Sequence, residues 1–341
     1  MSAAVRTGVG HAQGLRGACV RVTRFGGPEV LEPSTIDVPA PGAGEVLVRQ
    51  TASGVNFVDV YHRTGQFHGD GPEPPFVPGV QACGVVEAVG EGVTDLAAGD
   101  RIAYANVGVG SYAAWRTLPA DRLVKIPSRL DDVVVAAAYL RGLTCHYLLT
   151  RLYAVRPGDT VLIHAAAGGV GQLMVQWAKR LGATVIGTVG TDEKAALVRG
   201  LGCDHPIVYT REDFVRRTLE ITGGQGVPVV YDSVGADTFL GSLDCLRPMG
   251  IAINYGTASG QVPPFPLQRL HAKSLSVCRP TLRTWIAARE DLQRASDEVF
   301  ALLGDGSLRI DVAAVLPLED AAQAHALLEG RMVAGALVLA P

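Results

Sequence analysis

The hydrophobic pattern changes character twice along the chain. Between about residues 141 and 280, short apolar runs alternate with amphipathic stripes. TVLIHAA (160–166) is a strand rich in β-branched residues. In QLMVQWAKRL (172–181), Leu173, Met174, Trp177, Ala178 and Leu181 then fall on one helical face, and Gly182 is placed to cap it. TVIGTV (184–189) is the next strand, and a helix starts near Thr191 with Leu197, Val198 and Leu201 inward and Gly202 past its end. The alternation continues through PIVY (206–209), a Thr210-x-x-Asp213 capping box ahead of FVRRTLEI (214–221), VPVVYDSV (227–234), DTFLGSLDCL (237–246) and IAINYG (251–256). Strands separated by helices of this length predict a doubly wound parallel sheet, an α/β architecture.

The flanks follow another rule. From residue 17 to about 125 the chain runs in short β-branched stretches such as EVLVRQTASGV (45–55) and RIAYA (101–105), with turn signals at close intervals. This predicts a partly open all-β domain. After about Thr281 come one amphipathic helix from Trp285 to Leu303 and two strands, IDVAAVLPL (310–318) and ALVLA (336–340). The tail is expected to join the N-terminal β-domain, with the α/β domain inserted. The expected organisation is an extension over 1–16, a β-domain over 17–140 and 281–341, and an inserted domain over 141–280. A length of 341 residues suits two domains.

Composition narrows the function classes. With 48% hydrophobic and 18% charged residues, disorder is excluded. A net charge of −3 leaves no electrostatic footprint for nucleic acid. No apolar run reads as a membrane span, and the opening residues lack the apolar centre of a secretory signal, so a cytoplasmic protein is expected. Cys19, Cys83, Cys145, Cys203, Cys245 and Cys278 are scattered without a CxxC pair, and the histidines show no HxH or HxxxH spacing. A structural or catalytic zinc site is therefore not expected.

The chemistry is signalled at one turn. Ala166-x-Gly168-x-x-Gly171 is a GxGxxG with its first glycine replaced, entered from a strand and leaving into a helix. Small residues there let backbone N–H groups approach a pyrophosphate, and the helix N-terminus adds its positive dipole end. The second strand ends at Val189 and Gly190 without the acid that would hold a ribose 2′-hydroxyl. Lys194 lies just beyond, able to meet a 2′-phosphate, which favours NADPH. Asp192 and Glu193 are read as first-turn helix acids.

Taken together, GGPEVL (26–31), GVNFVDVYHRTG (54–65), GLTCHYLL (142–149), HAAAGGVG (164–171), GTVGTDEK (187–194), YDSVG (231–235) and LEGRMVAG (328–335) resemble the zinc-free quinone oxidoreductases, the zeta-crystallin group of the medium-chain dehydrogenase/reductase superfamily. The resemblance runs from about Arg21 to the C-terminus. It implies a GroES-like β-domain, a Rossmann domain, and a cleft between them for NADPH and the acceptor. Zinc members carry Cys where this chain has Asn56, and a His-Glu pair where it has Val80 and Gln81.

Carried over residue by residue, the resemblance implies that Asn56 hydrogen-bonds near the nicotinamide and that Phe57 and its neighbours to Val60 pack along the cofactor. Thr144 meets the nicotinamide side. Gly168, Gly169, Val170 and Gly171 cradle the pyrophosphate. Gly190, Thr191, Lys194, Tyr209 and Arg331 belong to the adenosine end, with Lys194, Tyr209 and Arg331 around the 2′-phosphate, and Gly256 and Thr257 present backbone groups to the nicotinamide. Tyr61 is the polar group facing the acceptor. A hydroxyl that often lines the quinone pocket is lost at Phe67, His68 being a weak substitute, and an acid after Gly79 has become Gln81, which points to a more apolar pocket. The implied activity is NADPH-dependent reduction of a small-molecule quinone or related electrophile by a homodimer. The rivals are reduction of activated C=C bonds and a non-catalytic NADPH- or RNA-binding role.

Overall fold

The structure is a computed structural model and describes residues 15–67, 71–330 and 335–341. The alternating middle of the chain forms a six-stranded parallel sheet. In spatial order its strands are His205–Val208, Thr184–Val189, Thr160–Ile163, Val227–Asp232, Leu246–Asn254 and Ser276–Cys278. The first strand in sequence lies third, so the order reverses beside it, and that reversal opens a crevice at the carboxyl ends of the strands. Every residue of Val227–Asp232 is buried, as a strand covered by helices on both faces requires.

The other sheet combines both ends of the chain. Ala336–Ala340 pairs antiparallel with Glu45–Val55, placing Leu337 opposite Val55 and Val338 opposite Gly54, and pairs parallel with Val312–Pro317. Gln81–Val89, Arg101–Ala105 and Val124–Lys125 extend the other side, and Trp115–Pro119 pairs with Glu45–Val55. The ribbon of Leu15–Val22 with Leu31–Val38 begins inside the segment expected as an extension.

Between the sheets runs the helix Asp132–His146, continued by a π-helical stretch Tyr147–Leu152. The expected boundary at residue 141 falls within it. This 21-residue segment has a mean hydropathy of 1.3 over its most apolar 18-residue window and by length and composition is apolar enough to cross a membrane. The sequence reading missed this run because Arg141, His146 and Arg151 interrupt it. Of its most apolar window, 72% is buried inside the fold, as a core helix would be.

Two local readings are corrected. The helix Phe214–Ile221 is capped by Asp213, whose carboxylate accepts from Val215 N and Arg216 N, whereas the Thr210 hydroxyl donates to Gly190 O. The stripe from Trp285 to Leu303 is two helices, Leu282–Trp285 and Arg289–Gly304, broken at residues 286–288.

Asp232 shows how the parallel sheet is locked to its helices. Its carboxylate accepts from Val234 N (2.8 Å), Gly235 N (2.9 Å), the Thr238 hydroxyl (2.8 Å) and Ser242 Oγ (3.2 Å). His164, kept neutral by burial, reaches Ser242 Oγ with Nε2 and Thr188 Oγ1 with Nδ1. Removing the acceptor strands several buried donors at once, so Asp232→Ala should lower unfolding stability by about 3 kcal/mol or more. Urea denaturation followed by tryptophan fluorescence measures this.

Candidate functional site

At the turn after Thr160–Ile163 the chain reverses through Ala165, which takes φ +50°, and Gly168 precedes the helix Gly169–Arg180 without a side-chain cap. The first-turn N–H groups are therefore left facing outward, where an anion fits them. Gly171 is required by close approach, since a Cβ there would lie 2.3 Å from Ala165 O. A Cβ on Gly168 would meet only Ala165 O, at 3.1 Å, so the outer side of the turn stays open for a ligand.

The next strand delivers Gly190 and Thr191. Thr191 caps the helix Asp192–Gly200, its hydroxyl accepting from Lys194 N, and Asp192 and Glu193 sit in the first turn as read from the sequence. Tyr209 comes alongside, its hydroxyl 3.2 Å from the point a Cβ on Gly190 would occupy. One cation was missed. Arg211, two residues after Tyr209, forms a fork with Asp192 at 2.5 Å on each side, and that pair pulls the Asp192 carboxyl below its usual range. No local motif marks Arg211, because it reaches the site only through the pairing of strands 184–189 and 205–208. Arg331 and His68 lie outside the described residues.

The other wall belongs to the helix Phe57–Arg63. Asn56 opens it and is buried. Its backbone N–H donates to Asp59 Oδ2 at 2.8 Å, and Nδ2 donates to Gly54 O and to Gln81 Oε1, each at 3.2 Å. The expectation that residues 57 to 60 all line the cofactor fails on helical geometry. Asp59 and Val60 point into the β-domain, while Phe57 and Tyr61, four residues apart, share the outer face with rings 6.4 Å apart. Tyr61 crosses the cleft, its hydroxyl oxygen accepting from Thr257 N at 3.3 Å. Gly256 is held against Ser233, where a Cβ would lie 2.7 Å from Ser233 O. Thr144 is half-buried on the central helix and donates to Leu140 O.

Gln81 is also reassigned. It is buried, donates to Ala136 O, and accepts from Asn56 Nδ2 and Leu140 N, so it braces Asn56. A cavity of about 210 Å³ beside Tyr61 is lined by Phe25, Tyr61, His62, Phe67, Pro72 and Glu73 among others. The Phe67 ring meets Tyr61 edge-on at 6.3 Å. Among the described residues no group of three or more His, Cys, Asp or Glu is placed to hold a metal ion.

Residues 42–128 match the alcohol dehydrogenase GroES-like domain and residues 169–301 match the zinc-binding dehydrogenase domain. The 2-haloacrylate reductase of a Burkholderia species is 47% identical over 94% of this chain and 98% of its own length. The quinone oxidoreductase of Pseudomonas aeruginosa is 45% identical over 94% of this chain and 99% of its own. The crystal structure of Escherichia coli quinone oxidoreductase complexed with NADPH superimposes with a TM-score of 0.92 at 42% identity, covering 95% of this chain and 100% of that one. The chain belongs to the quinone oxidoreductase family of the medium-chain dehydrogenase/reductase superfamily. It is an oxidoreductase with the GroES-like and Rossmann pair of domains found in this family.

Behind Asn56, burial pushes the Asp59 carboxyl from 3.8 up to about 7, against the hydrogen bonds from Asn56 and Tyr112 and the charge of Arg141, which pull it down. A carboxyl raised by folding binds more protons in the native state, so stability falls as pH rises from about 4 to about 7 and is level above. Asp59→Asn should remove that slope. Urea unfolding at several pH values checks it: the stability difference between wild type and variant should change across this window and stay constant above it.

Proposed function

We propose that this chain reduces quinones with NADPH as electron donor and without a zinc ion. The observation that carries the reading is the bond across the cleft. Tyr61 accepts from Thr257 N, which leaves its phenolic hydrogen to be donated beside a cavity walled by Phe25 and Phe67. Such a pocket stacks a flat conjugated ring and offers a donor to its carbonyl oxygen, where negative charge develops on reduction.

The residues present fit NADPH. Gly168, Gly169, Val170 and Gly171 would hold the pyrophosphate at the uncapped helix start. Gly190, Thr191, Lys194 and Tyr209 would surround the adenosine 2′-phosphate, with Arg331 carried from the resemblance. Arg211 joins them, since a dianion needs several donors and would compete with Asp192 for this guanidinium. Thr144, Gly256 and Thr257 would contact the nicotinamide. Phe57 would pack beside it, and Asn56 acts by fixing the start of the helix that carries Tyr61. When bound, NADPH supplies a hydride equivalent, and the quinone takes its remaining proton from water. The protein contributes orientation, a dry ring pocket and the Tyr61 hydrogen bond.

The Burkholderia relative's name supports a second reading, reduction of an activated double bond in an acrylate or alkenal. The edge strand Ser276–Cys278, with Val277 40% exposed, leaves backbone groups for a second copy and supports a homodimer. All six cysteines are free thiols and five are buried, which suits a reducing cytoplasm.

Fluorescence titration with NADPH and NADH, followed by quinone or alkenal in the same cuvette, tests the assignment. NADPH should bind more tightly, and Lys194→Ala with Arg211→Ala should together erase about tenfold or more of that preference. Quinone should oxidise the bound cofactor, and Tyr61→Phe should slow this about tenfold in kcat/KM. Turnover of alkenal alone would move the chain to the double-bond reductases. An absence of NADPH binding would overturn the site.

A further inference from the structure

The cavity proposed to take the acceptor contains a second polar group beside Tyr61. His62 shares its lining with Tyr61, Phe67, Pro72 and Glu73, and its ring lies 4.8 Å from the Phe67 ring, tilted by 32°. Its Nδ1 is buried with no hydrogen-bond partner among the described residues. A neutral imidazole carries one proton, on one nitrogen or the other. On Nδ1 that proton would be a buried N–H without an acceptor, a rarer and costlier defect than an unmatched lone pair. The proton therefore belongs on Nε2. Burial holds the ring neutral down to about 4, so this tautomer persists at neutral pH.

The geometry points to His62 Nε2–H as a second hydrogen-bond donor, alongside the Tyr61 hydroxyl, for the carbonyl oxygen of a conjugated acceptor. The adjacent position on the helix gives it this place: Tyr61 turns toward the cleft, and His62 turns onto Phe67 at the cavity wall. This inference rests on the reductase reading above and names a further acceptor-contacting residue of that same site.

The test uses His62→Leu, which keeps an apolar body on Phe67, and His62→Gln, which restores an N–H donor, with the full-length protein. Binding of a neutral naphthoquinone to the enzyme with NADP⁺ is followed by fluorescence quenching, and KM and kcat are measured separately. His62→Leu should raise both the dissociation constant and KM for the quinone about five- to tenfold while NADPH binding stays unchanged, and His62→Gln should recover most of the loss. An unchanged quinone affinity in His62→Leu overturns the donor role. In wild type with isotope-labelled histidine, NMR should find His62 protonated on Nε2 and shifted by quinone; protonation on Nδ1 also overturns it. If wild type binds NADPH but turns over neither quinone nor enone, the reductase reading fails, while the binding comparison still decides the role of His62.

Discussion

Arg141 is a whole guanidinium buried where the two domains meet, and the geometry of the cleft depends on it. It donates to Ala137 O on its own helix and to Val55 O, the residue immediately before Asn56. Its Nε lies 2.8 Å from where a Cβ on Gly169 would stand, at the first turn of the helix proposed to meet the pyrophosphate. One side chain thereby sets the spacing between the loop that starts the Tyr61 helix and the start of the nucleotide helix. Burial lowers its pKa to about 10, with the Asp59 charge acting the other way, so it remains a cation at neutral pH. A lysine could not make both contacts from one planar fork.

The same economy appears around it. Gln81 ties Asn56 to Ala136 O and Leu140 N of the central helix, and Gly54 leaves no room for a side chain, since its Cβ would lie 2.2 Å from Ala136 O. Further out, Asp59 joins Tyr112, Tyr112 joins His325, and His325 joins Arg63, whose guanidinium forms a fork with Glu329 at the end of the helix Ala321–Glu329. The wall bearing Tyr61 is thus braced from the nucleotide side by one helix and from the C-terminal side by another.

Much of this was legible in the sequence because parallel α/β architecture is written in local periods. The strands, the reversing turn at 166–171 and the helix start at Thr191 all follow from residues near one another. The remainder depends on contacts across the fold. Arg211 is an ordinary turn residue until strand pairing sets it against Asp192. Gln81 reads as a substitution in a pocket, whereas the fold gives it bonds to Asn56, Ala136 O and Leu140 N. The helix from Phe57 carries a continuous motif, yet its 3.6-residue period sends Asp59 and Val60 inward and leaves Phe57 and Tyr61 to the cleft. His62 escaped notice because its value lies in a buried Nδ1 that finds no partner among the described residues, which no sequence displays.

The closure of the β-domain by Ala336–Ala340 has a consequence for how the molecule is made. The strand holding Val55 pairs early with Gln81–Val89 and, near its start, with Trp115–Pro119, but its end at Ser53–Val55, which leads into Asn56, gains its second neighbour only from residues 336–340. The parallel sheet needs nothing beyond Cys278 and is complete in sequence before those residues are made. On the ribosome the nucleotide half can therefore form while the wall carrying Tyr61 is still unfinished. A chain cut short before residue 336 keeps the parallel sheet but lacks the strand that closes the β-domain beside Asn56, so an interrupted product is half a molecule with one finished layer.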